Sequence, residues 1–159
     1  MPAPFDPGSA DRSAVADLLA PAVERDGDGI TRADVVLVED DATLVEMLTY
    51  TLTNRGYACT AVAVGPDALE RVKQLAPGRQ APVVLLNLDL PGLSRVGAIE
   101  QLERARPEGF RMIALTRTGS EREHVRALSA GAVDYVVKPI SLMVLAAKII
   151  RLLWDHDRR

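Results

Sequence analysis

The run Val83-Val84-Leu85-Leu86-Asn87-Leu88-Asp89-Leu90-Pro91-Gly92 opens with four aliphatic residues and closes on a turn. Four such residues without a polar break are the pattern of a strand covered on both faces, as strands of parallel sheets are. Pro91-Gly92 then ends the extended segment. Between strand and turn stand an amide and a carboxylate, Asn87 and Asp89. A buried strand that runs into polar side chains sets them at its carboxyl end, where open α/β sheets hold their ligands.

The same order of apolar run, polar tip and helix recurs along the chain. Upstream, Val35-Val36-Leu37-Val38 leads into Glu39-Asp40-Asp41. Leu44, Met47, Leu48 and Leu52 follow at helical spacing, with Gly56 as the stop. Residues 57–64 read as a second strand, and Gly65-Pro66 opens a helix carrying Leu69, Val72 and Leu75 that Pro77 ends. Downstream, Ser94 precedes a helix with Val96, Ile99 and Leu102. Residues 112–115 form a fourth strand tipped by Thr116. Ser120 with Glu123 makes a capping box for a fourth helix, which Gly131 terminates. Residues 133–137 form the fifth strand, tipped by Lys138-Pro139, and Ser141 caps a last helix with Leu145, Ile149 and Leu152 inward. Five strands alternating with five helices predict an α/β fold with a doubly wound, five-stranded parallel sheet.

Composition agrees with one such domain. The chain has 159 residues, 48% of them hydrophobic and 26% charged, enough to build a core. Its net charge of -3 argues against nucleic acid as the main partner, because phosphate contacts need surplus Lys and Arg. A single cysteine, Cys59, excludes an intramolecular disulfide and fits a reducing cytoplasm. No apolar run approaches the length of a membrane span, and no secretory signal opens the chain. Residues 1–33 read as an N-terminal extension, partly disordered, with one short helix on Val15, Leu18, Leu19 and Val23 that Pro21 interrupts. The domain proper covers 34–154, and 155–159 are a C-terminal tail.

An acidic pair, an amide, a hydroxyl and an ammonium thus meet on one rim of the sheet. Two neighbouring carboxylates attract a hard cation such as Mg²⁺, and a Lys and a Thr opposite them suit phosphate oxygens. This is a phosphoryl-transfer constellation without its nucleophile. Asn87 stands where one belongs, and an amide oxygen is far less nucleophilic than a carboxylate. P-loop, HExxH, nucleophile-elbow and GxGxxG patterns are all missing, so no enzymatic activity is expected.

At these four strand ends the chain resembles the response-regulator receiver domain of two-component signalling. The resemblance runs from Val35 to about Leu153 and implies the flavodoxin-like (βα)5 receiver fold. It implies that Glu39 and Asp40, with the carbonyl of Asp89, hold Mg²⁺. Thr116 matches the switch hydroxyl that bonds the phosphoryl group, Tyr135 the aromatic switch, and Lys138 the phosphate-contacting lysine ahead of a proline often in the cis form. Asn87 matches the aspartate that is phosphorylated, and there the chain departs from the pattern. The loss of that charge implies weakened Mg²⁺ binding, with Lys138 turning to Glu39 or Asp40 instead. Two further departures are Arg117, whose guanidinium is expected over the pocket mouth, and Ser94-Arg95, where Asp-Gly is usual. Asp134 and Lys148 match positions of cross-dimer ion pairs, and Val144 stands where a charged partner is usual, so a homodimer with a more apolar contact is expected.

Two functions from this family are open at this point. One is an atypical receiver that acts as a phosphorylation-independent interaction or dimerisation module with protein partners, a sensor kinase or another regulator. The other is the receiver of an ordinary phosphorelay regulator in which the phosphoacceptor aspartate was engineered to Asn87. A third, a flavodoxin-like enzyme or nucleotide binder, ranks last for want of a glycine-rich phosphate loop. No output domain follows Leu153, so nucleic acid would be reached only through a domain absent from this sequence.

Overall fold

Aliphatic runs become the strands and amphipathic stretches the helices that cover them. The computed structural model describes residues 32–77 and 80–157; the extension's helix, expected over Val15 to Val23, lies outside the described residues. The main sheet consists of Val35–Val38 (β1), Cys59–Ala61 (β2), Val83–Asn87 (β3), Arg111–Thr116 (β4) and Asp134–Val137 (β5). All pairings are parallel and the order is β2-β1-β3-β4-β5, the flavodoxin-like order. Val35 is in register with Cys59 on one side and Val83 on the other, which aligns the polar tips of β1 and β3. A separate parallel ladder of two residues a side joins Arg32–Ala33 to Ala76–Pro77.

The helices are Ala42–Thr53 (α1), Ala68–Gln74 (α2), Val96–Ala105 (α3), Glu121–Ser129 (α4) and Leu142–Asp157 (α5). Alternate residues of each strand point to opposite faces. Val36, Val38, Val84, Leu86 and Met112 meet Val72 of α2, Ile99 and Leu102 of α3 and Ala127 of α4. Val35, Leu37, Val83, Leu85 and Ile113 meet Leu48 and Leu52 of α1 and Leu145, Ile149 and Leu153 of α5. Both faces are therefore buried, which is why β1 and β3 carry no polar alternation. Among the described residues, no helix is long and apolar enough to cross a membrane.

The structure differs from the sequence reading in several details: Ala33, read as extension, is in the core, α5 runs on to Asp157 where a tail was expected, and Met47 is exposed. β2 is shorter than 57–64, since as an edge strand it pairs with β1 alone. In α5 Leu153 is fully buried beside Leu145 and Ile149, with Leu152 only partly covered. The capping box at α4 is half formed: Ser120 Oγ accepts from the Glu123 N–H, but the Glu123 carboxylate turns away to a guanidinium. A charge-assisted bond outcompetes one to a neutral N–H. Gly56, at φ +86, and Gly131, at φ +119, follow α1 and α4 as expected, in backbone that L side chains rarely adopt.

Candidate functional site

Glu39 leaves β1 with its side chain fully buried. Burying a carboxylate is costly unless donors surround it, and here they do. Its Oε1 accepts from the N–H groups of Asp40 (3.0 Å) and Asp41 (3.2 Å) and from Asn87 Nδ2 (2.9 Å). Its Oε2 faces Lys138 Nζ at 3.1 Å, an ion pair without hydrogen-bond geometry. Asp40 is exposed, with Asn87 Nδ2 at 3.5 Å. Asp41 caps α1 by accepting from the Leu44 N–H at 3.2 Å.

Asn87, at the tip of β3, is held at both ends of its amide. Nδ2 donates to the acidic pair, and Oδ1 accepts from the Asp89 N–H at 2.9 Å. That pattern fixes which way the amide points. An open cleft of about 240 Å³ lies over it, lined by Asp40, Asp41, Asn87, Asp89, Arg117 and Lys138.

A second group of charges occupies the other end of the rim. Asp89 Oδ1 accepts from the Thr116 hydroxyl (2.9 Å) and Arg95 Nη1 (2.7 Å), and Oδ2 accepts from the Arg117 N–H (2.7 Å). Burial pushes the Asp89 carboxyl up, but these donors together outweigh it and hold it below its ordinary value. Arg95 also donates from Nη2 to Thr116 Oγ1 (2.9 Å), and from Nε and Nη2 to both oxygens of Glu123 (2.8 and 2.7 Å). The Arg95 bonds lower the Glu123 carboxyl, and bonding to Glu123 raises Arg95 in turn. Tyr135 is buried, donates its hydroxyl to Glu123 Oε1 at 2.8 Å, and stacks on His124 at 4.8 Å between ring centres. Desolvation first, and Glu123 second, raise the Tyr135 hydroxyl.

A model of the response regulator receiver domain matches residues 35–150. The chain belongs to the response regulator receiver family. The receiver is 39% identical over 115 residues to the sensory transduction protein RegX3 of Mycolicibacterium smegmatis, a match covering 72% of this chain and 48% of that protein. It is 37% identical over 117 residues to the phosphate regulon transcriptional regulatory protein PhoB of Rhizobium meliloti, covering 72% and 49%. The chain thus spans about half the length of these curated relatives. Among solved structures, a receiver domain protein of Methanospirillum hungatei superposes with a TM-score of 0.66 at 24% identity, covering 81% of this chain and 98% of that one.

The fold gathers Glu39, Asp40, Asn87, Asp89, Thr116 and Lys138 on one rim, at the carboxyl ends of four strands. Lys138 precedes a cis proline, Pro139. Arg117 lines the cleft, yet its guanidinium is 75% exposed with Nε 3.8 Å from Asp89, so its N–H is the closer contact. Asp134 and Lys148 pair with each other within the chain at 2.7 Å, and Val144 is exposed.

Receivers of this family typically bind Mg²⁺. Glu39 and Asp40 have the oxygen chemistry for it, but both Glu39 oxygens face N–H or ammonium groups. Among the described residues, no group of three or more His, Cys, Asp or Glu side chains is arranged to hold a metal ion. Glu39 and Asp40 would hold the ion only with Lys138 and the Asn87 amide turned aside.

Sequence reasoning noted Arg95 as a departure but gave it no role, and it read Glu123 only as a cap. The signal available was a long basic residue where glycine is usual, one turn of chain from the rim. Its side chain reaches Asp89, Thr116 and Glu123 from a backbone at φ 52 and ψ −116.

Proposed function

We propose that this receiver works in signal transduction as an interaction or dimerisation module that does not accept a phosphoryl group. The carrying observation is Asn87, whose amide directs N–H bonds at Glu39 and Asp40 where phosphoryl transfer needs an anionic oxygen. In this reading Thr116 and Tyr135 remain the switch pair and Lys138 balances Glu39. The seat formed by Glu39, Asp40 and the Asp89 carbonyl holds Mg²⁺ only weakly, since cation affinity follows the number of charged ligands. The domain is not an enzyme. It acts in the cytoplasm on protein partners, a sensor kinase or another regulator, and on a second copy of itself through the face bearing Asp134, Val144 and Lys148. Exposed Val125, Leu128, Val133, Val137 and Val144 support a contact more apolar than ionic. Any nucleic-acid contact belongs to an output domain outside this sequence.

The test is acetyl phosphate with Mg²⁺ and intact-mass detection. The Asn87 chain should gain no phosphoryl mass, and Asn87→Asp should gain one. An adduct on the Asn87 chain would refute the reading. Glu39, Asp40, Thr116 and Lys138 are all in place, which keeps open a second reading, an ordinary receiver altered at one residue; silence from Asn87→Asp would overturn that second reading.

A further inference from the structure

The proposed function leaves the Asp89 carboxylate, Arg95 and Glu123, at the other end of the rim, without a task. There, a side-chain hydroxyl, a main-chain N–H and a guanidinium converge on the Asp89 carboxylate, at 2.9, 2.7 and 2.7 Å. Such a set of donors is an oxyanion seat. We propose that Asp89 is the resident anion of this seat, and that Arg95, anchored on it, fastens α4 and Tyr135 in one arrangement without any phosphoryl group. The inference deepens the phosphorylation-independent reading and rests on it in one respect, the assignment of Thr116 and Tyr135 as the switch pair.

Two independent features carry it. The first is connectivity. Asp89 bonds Arg95, Arg95 bonds Glu123 through two nitrogens, and Glu123 Oε1 takes the Tyr135 hydroxyl, every link between 2.7 and 2.8 Å. Arg95 also reaches Thr116 Oγ1 at 2.9 Å, so one guanidinium ties the loop after β3 to the tip of β4 and to α4. Asn87 sits outside this chain of bonds: its Nδ2 faces the acidic pair, and its Oδ1 takes only the Asp89 main-chain N–H.

The second feature is the backbone. Arg95 stands at φ 52 and ψ −116 immediately before α3. A long side chain in that region is costly and persists only where its surroundings hold it. Here the acceptors on Asp89, Thr116 and Glu123 do so.

Amide hydrogen exchange on the full chain, with no phosphodonor, tests this. In the unmodified chain α4 and Tyr135 should be protected, and added inorganic phosphate should change nothing. Asp89→Ala should speed exchange across α4 roughly tenfold or more, since charge-assisted bonds are lost, while β3 stays protected. Inorganic phosphate should then restore protection of α4 by entering the emptied seat. Arg95→Lys keeps the charge without the forked geometry and should also loosen α4. Unchanged α4 protection in both variants would overturn the clamp; phosphate failing to restore it in Asp89→Ala would overturn the seat. If Asp89→Ala also loses β3 protection, Asp89→Asn, which keeps the shape without the charge, serves for the same comparison. A phosphoryl adduct on the unmodified chain would defeat the proposed function while leaving these exchange rates untouched.

Discussion

The two ends of the rim meet their charges by opposite means. At the Glu39 end, one buried carboxylate takes the Lys138 ammonium, and the neutral amide of Asn87 faces both Glu39 and Asp40 where a third carboxylate would raise the repulsion. At the Asp89 end, two carboxylates share a guanidinium that stands where glycine is usual in the family. One end is quieted by a neutral amide and the other by a shared guanidinium. The lesson is that charge at a receiver's rim can be balanced piecemeal, by a different device at each end.

The sharpest way to break this comparison is to strip the first end of its cation. Lys138→Met leaves Glu39 buried without a counter-charge, and removing one partner of a buried pair costs about 3 kcal/mol. Urea unfolding should show that loss, and adding Glu39→Gln in the same chain should recover most of it. A loss near zero would mean that the three N–H donors to Glu39 suffice alone.

Next in size is the reverse change. Asn87→Asp puts a carboxylate beside Glu39 and Asp40, and like charges so close destabilise by about 1–2 kcal/mol without metal. Mg²⁺ should reverse this, giving Asn87→Asp a magnesium-dependent melting temperature that the Asn87 chain lacks. Equal magnesium response in both would show that the amide does not govern the ion.

The second end is probed by acid. Asp89 and Glu123 are held below their ordinary values by the donors around them, so their contribution is complete above the ordinary carboxylate range. It fades as pH falls through the depressed values of the folded chain. Arg95→Gln should therefore lower stability at neutral pH, and the gap to the unmodified chain should close in acid. A gap that stays constant with pH would place the effect of Arg95 in packing rather than charge.

The smallest expected effect lies far from either end. Burial pushes the Cys59 thiol up to about 11, with a lesser opposing bond from Thr49. At pH 8 the folded chain should react with a thiol reagent only as fast as it opens.

How much of this was legible in the sequence depends on whether a feature is local. β1 and β3 are continuous aliphatic runs, and Glu39, Asn87, Thr116 and Lys138 stand directly at strand tips, so linear order alone brought them to one rim. Lys138 could be expected to turn to Glu39 or Asp40 because charge counting needs no coordinates. Arg95 and Glu123 were not legible as partners. They lie 28 positions apart, and their meeting involves a positive-φ residue that no hydrophobic period reveals. The short β2 escaped for a related reason: only the sheet order shows that it is an edge.

The order of strands in the sheet has a consequence for how the chain is made. β1 lies inside the sheet, yet its neighbour β3 begins 48 positions later, beyond β2 and α2. During synthesis the run Val35–Val38 must wait for that partner, with one edge of a wholly apolar strand uncovered in the meantime. Nascent chains halted before Val83 has left the ribosome should be protease-sensitive and bound by chaperones. Chains released after β3 has emerged should begin to resist, because only then can the Glu39 carboxylate find the Asn87 amide.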